Sequence, residues 1–178
     1  MSEDHIYQFV LYRSRRPMDT FVSSTQRFMQ RYQPNGAGTI NLFQKTGGTS
    51  RFDYLTISRW GTEDFFKSFK NGVMPMGSAR IEQAGGYFCV DHKGEEADPK
   101  AGETRVYLGF RGELTEESMK PLMEKASKWR IFKGVARKSF YTFIWEGVID
   151  ESAPELENLK ELDRGVYQFE RNFPAETT

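Results

Sequence analysis

The chain has 178 residues, with 25 Lys and Arg set against 25 Asp and Glu. That balance leaves no broad electrostatic footprint for nucleic acid or an anionic membrane surface, and the length allows one domain or two small ones sharing a core. A single cysteine, Cys89, excludes an intramolecular disulfide, and only two histidines, His5 and His92, argue against a multi-histidine metal site.

The N-terminal MSEDHIYQF lacks the basic start and apolar run of a signal peptide, and no apolar run is long enough for a bilayer. A soluble cytoplasmic protein is expected, with neither a nucleic-acid nor a membrane partner. Fifteen Phe and eight Tyr supply rings for a core, and for the walls of a pocket for a flat ligand.

Ile6 to Arg13 reads as a first strand. After Pro17, Asp19 is placed to cap a helix whose stripe is Phe21, Val22, Thr25, Phe28, Met29 and Tyr32, ended by Pro34-Asn35-Gly36. Thr39 to Lys45 is a second strand, and Thr46-Gly47-Gly48-Thr49 turns it into a third, antiparallel to it. In that third strand Phe52, Tyr54, Thr56 and Ser58 alternate with Asp53, Leu55, Ile57 and Arg59. Trp60 closes it, and Thr62, Glu63 and Asp64 start a helix that gathers Phe65, Phe66 and Phe69 on one face. Pro75 and Gly77 break up the next segment, and Tyr87 to Asp91 is a fourth strand.

Strand, helix, strand, strand, helix, strand is the split βαβ order of a ferredoxin-like unit. Residues 1–92 are assigned to it. Residues 93–103, KGEEADPKAGE, keep no apolar side chain but alanine and read as a solvated linker to a second ferredoxin-like unit at 104–178. There Arg105 to Arg111 is a strand, and Thr115 caps a helix with Met119, Leu122, Met123 and Ala126 on its apolar stripe. Lys120, Lys125, Lys128, Arg130 and Lys133, balanced by Glu113, Glu116, Glu117 and Glu124, read as a salt-bridged surface of that helix. Lys138 to Val148 is a long aromatic strand, Asp150 to Leu162 a turn and acidic helix, and Gly165 to Phe173 a last strand. The second unit is thus one strand short. Two such units can pack their open sheet faces together as an α+β barrel with helices outside, either within one chain or as a homodimer.

The order of elements and the segment SRWGTEDFFKSF, with Trp60, Thr62, Phe65, Phe66 and Phe69, resemble the dimeric α+β barrel superfamily and its antibiotic-biosynthesis-monooxygenase-like group. The resemblance implies an oxidoreductase, a cofactor-independent oxygenase acting without a metal on a flat aromatic or polyketide-like substrate, in a pocket between helices and sheet. It also admits haem-degrading enzymes. Those imply a histidine in or just after the second helix region, where this chain has Met74, Met76, Ser78 and Arg80. A non-catalytic binder of a flat hydrophobic ligand such as haem is the alternative reading.

On that basis Asn41, a polar residue in an apolar strand, and Arg59 are expected to stabilise an oxyanion, with Tyr54 assisting proton transfer. Trp60, Phe65, Phe69, Tyr12 and Met76 are expected to hold the substrate. Each has a plainer role: Asn41 pairs across strands, Arg59 forms a surface ion pair, and the rings line the sheet. Tyr7, Tyr141, Trp129 and Trp145 carry the same two readings. Cys89 reads as a small buried thiol and His92 as a solvated residue at a strand end. Gly47-Gly48 and Gly85-Gly86 form no phosphate-cradling motif.

Overall fold

The computed structural model describes residues 5–14, 16–70, 82–92, 98–112, 128–134, 141–148 and 160–173, with single positions between 115 and 124. At 24–25, 28–29, 31–32, 69, 82–92 and 160–163 the backbone is described without the side chain. The elements are β1 (His5–Arg13), α1 (Met18–Tyr32), β2 (Ala37–Gly48), β3 (Tyr54–Gly61), α2 (Thr62–Lys70), β4 (Glu82–His92), β5 (Thr104–Arg111), β6 (Lys128–Gly134), β7 (Phe143–Val148) and β8 (Lys160–Phe173). The strands close into a barrel in the order β1-β3-β2-β8-β5-β7-β6-β4, every neighbouring pair antiparallel.

The barrel closes within one chain. Strands β4-β1-β3-β2 come from the first half and β8-β5-β7-β6 from the second, each in the order a split βαβ sheet requires, and the halves join where β2 meets β8 and β4 meets β6. Neither half keeps an open sheet edge. Among the described residues, no helix is long and apolar enough to cross a membrane.

Alternation along each strand divides the apolar residues into layers. Tyr7, Phe9, Leu11, Phe43, Leu55, Ile57, Tyr107, Phe132, Ile144, Tyr167 and Phe169 fill the barrel from both halves. Ile6, Val10, Tyr12, Ile40, Leu42, Tyr54 and Trp60 cover the outer face of the first half, where Phe21 of α1 and Phe65 of α2 pack on them. Val106, Leu108, Phe110, Ile131 and Trp145 form the corresponding outer layer of the second half. An eight-stranded barrel is about wide enough for side chains to fill it or for one small ligand. Here rings fill the middle: Phe9 meets Phe132 edge-on at 4.8 Å, and Phe43 meets Tyr107 at 5.8 Å.

Several sequence expectations need correction. The strand missing from the second unit is β6, Lys128–Gly134, where a basic helix surface was expected. Residues 117, 120, 121 and 124 are helical, but Arg130 belongs to a strand and is buried. Strand β8 begins at Lys160, so Lys160 to Leu162 are extended rather than helical. Asp19 lies in the first turn of α1 rather than before it. Phe65 is buried against Trp60, whereas Phe66 is 52 % exposed, because adjacent helical residues point about 100° apart. Gly47 and Gly48 belong to β2, opposite Val166 and Gly165 of β8.

Candidate functional site

One end of the barrel is not filled by the described residues. A cavity of about 370 Å³ opens there. Its rim carries His5, Gly36, Gly38, Gly61, Asp98 and Pro99; its walls are Tyr7, Thr39, Asn41, Phe43, Ile57 and Arg59 from the first half and Arg105, Arg130 and Glu146 from the second. That volume sits toward the small end of the roughly 300–1,000 Å³ usual for ligand pockets. The strands dictate its two-sided character. Asn41 follows the same inward face as Phe43, and Arg59 the same face as Ile57, so each strand ends its apolar run with one polar group at the mouth.

The floor is a buried charge network. Glu146 Oε1 accepts from Arg130 Nε at 2.7 Å and forms an ion pair with Arg105 Nη1 at 3.3 Å, and Oε2 accepts from Tyr107 Oη at 2.7 Å. Arg105 also reaches Glu103 Oε2 with Nε and Nη2, both at 2.9 Å. The Arg130 guanidinium lies over the rings of Tyr7 and Phe132, 5.6 and 4.9 Å from their centroids. Burial alone would push the Glu146 carboxyl up, but the adjacent Arg130 and Arg105 outweigh it and hold the group below its ordinary value. Burial, with Glu146 beside it, pushes the Tyr107 hydroxyl well up, so Tyr107 is a neutral donor.

At the mouth, both ring nitrogens of His5 lie within 3.3 Å of Arg59 Nη2. A fixed positive charge beside this imidazole opposes its use as a metal ligand, so the described part of the cavity offers no axial histidine to a haem iron. Among the described residues no cluster of three or more His, Cys, Asp or Glu could hold a metal ion.

The structure separates the residues singled out from sequence. Asn41 and Arg59 line the cavity together. Tyr54, Tyr12, Trp60 and Phe65 lie on the other face of the sheet, in the filled layer beneath α1 and α2. There Tyr54 stacks on Phe21 with ring centroids 4.1 Å apart and donates to the Arg16 carbonyl at 3.0 Å. Tyr12 accepts from Thr56 Oγ1 at 3.4 Å, and Trp60 Nε1 donates to Ser58 Oγ at 3.2 Å. Met76 and the side chain of Phe69 lie outside the described residues, as do the side chains of Cys89 and His92. The described cavity is therefore inside the barrel rather than between helices and sheet.

Arg105, Arg130 and Glu146 were not singled out from sequence. Their signal is a charged residue on the inward face of an apolar strand: Arg105 two before Tyr107, Arg130 two before Phe132, and Glu146 two after Ile144. The same signal had marked Asn41.

The fold is that of the dimeric α+β barrel proteins. The chain is similar to an anthrone oxidase-like protein, with 10% identity over 99% of this chain and 95% of that one and a TM-score of 0.59. It is similar to chlorite dismutase from Candidatus Nitrospira defluvii, with 8% identity, 96% and 93% coverage and a TM-score of 0.58. A candidate monooxygenase from Fusobacterium nucleatum matches with 10% identity, 100% and 98% coverage and a TM-score of 0.54. No protein family and no curated protein matches the sequence.

Proposed function

We propose that the chain is a small-molecule oxidoreductase that binds a flat aromatic or polyketide-like substrate in the open end of its barrel and oxygenates it without a metal. One observation carries this reading. The cavity sets an apolar wall of Tyr7, Phe43 and Ile57 against Asn41 and Arg59 within a single space of about 370 Å³. A flat ring system can lie along the wall while an oxygen substituent meets the amide and the guanidinium. The oxidoreductase names of the three proteins of like fold support the class, and the anthrone oxidase-like one suggests the kind of ring system.

An activated ring CH₂ flanked by aromatic carbonyl chemistry supplies its own electrons. Loss of a proton gives an enolate, whose oxygen Asn41 and Arg59 would stabilise; dioxygen then oxidises the CH₂ to a carbonyl, one oxygen atom entering the product and the other leaving as water with the two hydrogens. No external reductant is needed. Tyr54, in the layer beneath α1, has no place in this reading, and Trp60, Phe65 and Tyr12 support the sheet that carries the cavity. The protein would act in the cytoplasm, its two units spanning 1–92 and 104–178 about the linker 93–103, each supplying four strands of the barrel.

Oxygen uptake with anthrone as substrate tests the reading. One mole of oxygen consumed per mole of quinone formed is expected, and Asn41→Ala or Arg59→Ala should each lower the rate by about 10²–10³-fold, the usual cost of one oxyanion donor. Saturable binding without oxygen uptake would make the protein a carrier and overturn the enzymatic reading.

A further inference from the structure

The floor of the cavity holds more hydrogen-bond donors than acceptors, and that imbalance names a chemical group on the occupant. Both Glu146 oxygens are already used, Oε1 by Arg130 Nε and Arg105 Nη1 and Oε2 by Tyr107 Oη. Arg105 divides its donors between Glu146 and Glu103. Arg130 differs. Its Nε bond to Glu146 is its sole side-chain hydrogen bond among the described residues, so its two Nη groups have no described acceptor, and the residue, 8 % exposed, lines the cavity.

Among the described residues only Trp145 Nε1 is a buried polar side-chain atom without a partner, so the Arg130 Nη groups are open to the cavity and available to an acceptor that enters it. The Arg130 fork is held at one end by Glu146 and seated over the Tyr7 and Phe132 rings, so it is preorganised for a planar acceptor that takes two bonds at once. Asn41, in the same cavity, likewise makes no side-chain hydrogen bond to a described residue. Charge does not oppose an anion here. Arg59, Arg105 and Arg130 face Glu146 and Asp98 along the lining, and Asp98 is exposed at the rim.

We infer that the cavity binds a small organic carboxylate, with the carboxylate on the free edge of Arg130 and the Asn41 amide and the apolar body against Tyr7, Phe43 and Ile57. This rests on the cavity being the ligand site and adds an acid group to the substrate class. Water would satisfy the same donors without selecting between ligands, and that contrast decides the test.

Isothermal titration of the full chain with 2-naphthoate and with its neutral isostere 2-naphthamide makes the comparison. Naphthoate is expected to saturate one site and the amide to bind about tenfold or more weakly, the scale of a hydrogen-bond pair to a charged group. Arg130→Lys, which keeps the charge and loses the fork, should weaken naphthoate by a similar factor. Asn41→Asp provides a variant whose folding is not at stake, since Asn41 is half-buried with no described partner; it should weaken naphthoate at unchanged thermal midpoint, and by more than it weakens the amide, because the new carboxylate repels only the acid. Equal affinity for acid and amide, or an Asn41→Asp variant that binds naphthoate as before, overturns the carboxylate assignment and leaves the aromatic pocket standing. Binding of neither probe overturns both.

Discussion

Arg130 and Glu146 stand directly opposite each other in the β6–β7 register and are joined inside the barrel by a 2.7 Å hydrogen bond from Nε to Oε1. The pair has few substitutes for its partners. A buried ion pair adds little over a well-packed apolar core, but removing one member strands the other, at a cost of about 3–5 kcal/mol. Glu146→Gln leaves Arg130 and Arg105 without their shared anion and should lower stability by about that amount in urea denaturation at neutral pH. The pH dependence follows from the same geometry. The carboxyl is held below its ordinary value of 4.5, so its contribution is present above that pH and lost as pH falls through the lower folded value. Wild-type stability should therefore decline below about pH 4.5, and the Gln variant should show a flatter acid arm. An unchanged midpoint together with an unchanged acid arm would contradict the network's energetic role.

Tyr12 gives the opposite limb. Burial pushes its hydroxyl up to about 12, with the Thr56 hydrogen bond acting weakly the other way. A raised folded value means the contribution is complete below the ordinary value of 10.0 and is lost as pH climbs from there to about 12. Tyr54 and Tyr107 are raised as well, so several groups share this limb. Tyr12→Phe is expected to remove part of the loss between pH 10 and 12 in a series of denaturation curves. A slope identical to wild type would show that Tyr12 does not contribute to it.

The first half of the fold is legible in sequence because its signals do not compete. Strand alternation from Ile6 and from Tyr54 is broken by Pro17 and by Gly61, and the helical stripe from Phe21 by Pro34-Asn35-Gly36, and each break falls near an element boundary. Strand β6 defeats this reading. In KWRIFKG the cations continue a basic helical pattern, and what makes the segment a strand with Arg130 facing inward is Glu146, 16 residues away on β7. The cavity side was hidden for a related reason. A closed barrel under helices has a core on each face of its sheet, so Tyr7 and Phe9 point in while Tyr12 and Tyr54 point out, and aromatic alternation alone cannot say which face holds a ligand. Asn41 was legible because an amide in an apolar strand is conspicuous on either face.

Gly48 and Gly112 both hold positive φ, 82° and 107°, so an alanine at either carries left-handed strain of about 1–2 kcal/mol. Their surroundings differ. A Cβ at Gly48 would come within 2.5 Å of the Arg164 carbonyl oxygen, where β2 meets β8 and Arg164 also accepts from Thr49 and Ser50, whereas a Cβ at Gly112 meets nothing within 4 Å. Gly48→Ala should therefore destabilise the barrel by clearly more than Gly112→Ala, read as a difference in denaturation midpoint. Equal effects would mean that the β2–β8 seam yields easily and is not a tight join between the two halves.

Trp60 separates stability from ligand binding. Its indole is fully buried, meets Phe65 edge-on at 6.1 Å and donates to Ser58 Oγ, while Arg59, the next residue, turns to the opposite face and lines the cavity. Trp60→Ala should cost about 3–5 kcal/mol, the usual range for emptying a large aromatic site, and Phe65→Ala a comparable amount. Under conditions where these variants remain folded, their affinity for an aromatic ligand should stay within about twofold of wild type, whereas Arg59→Ala should weaken binding with little change in stability, as expected for an exposed side chain. The measurement is a paired one, urea midpoint and ligand titration on each variant. Should Trp60→Ala abolish binding in the folded protein while Arg59→Ala leaves it intact, the ligand lies under α1 and α2 and the barrel end is not its site.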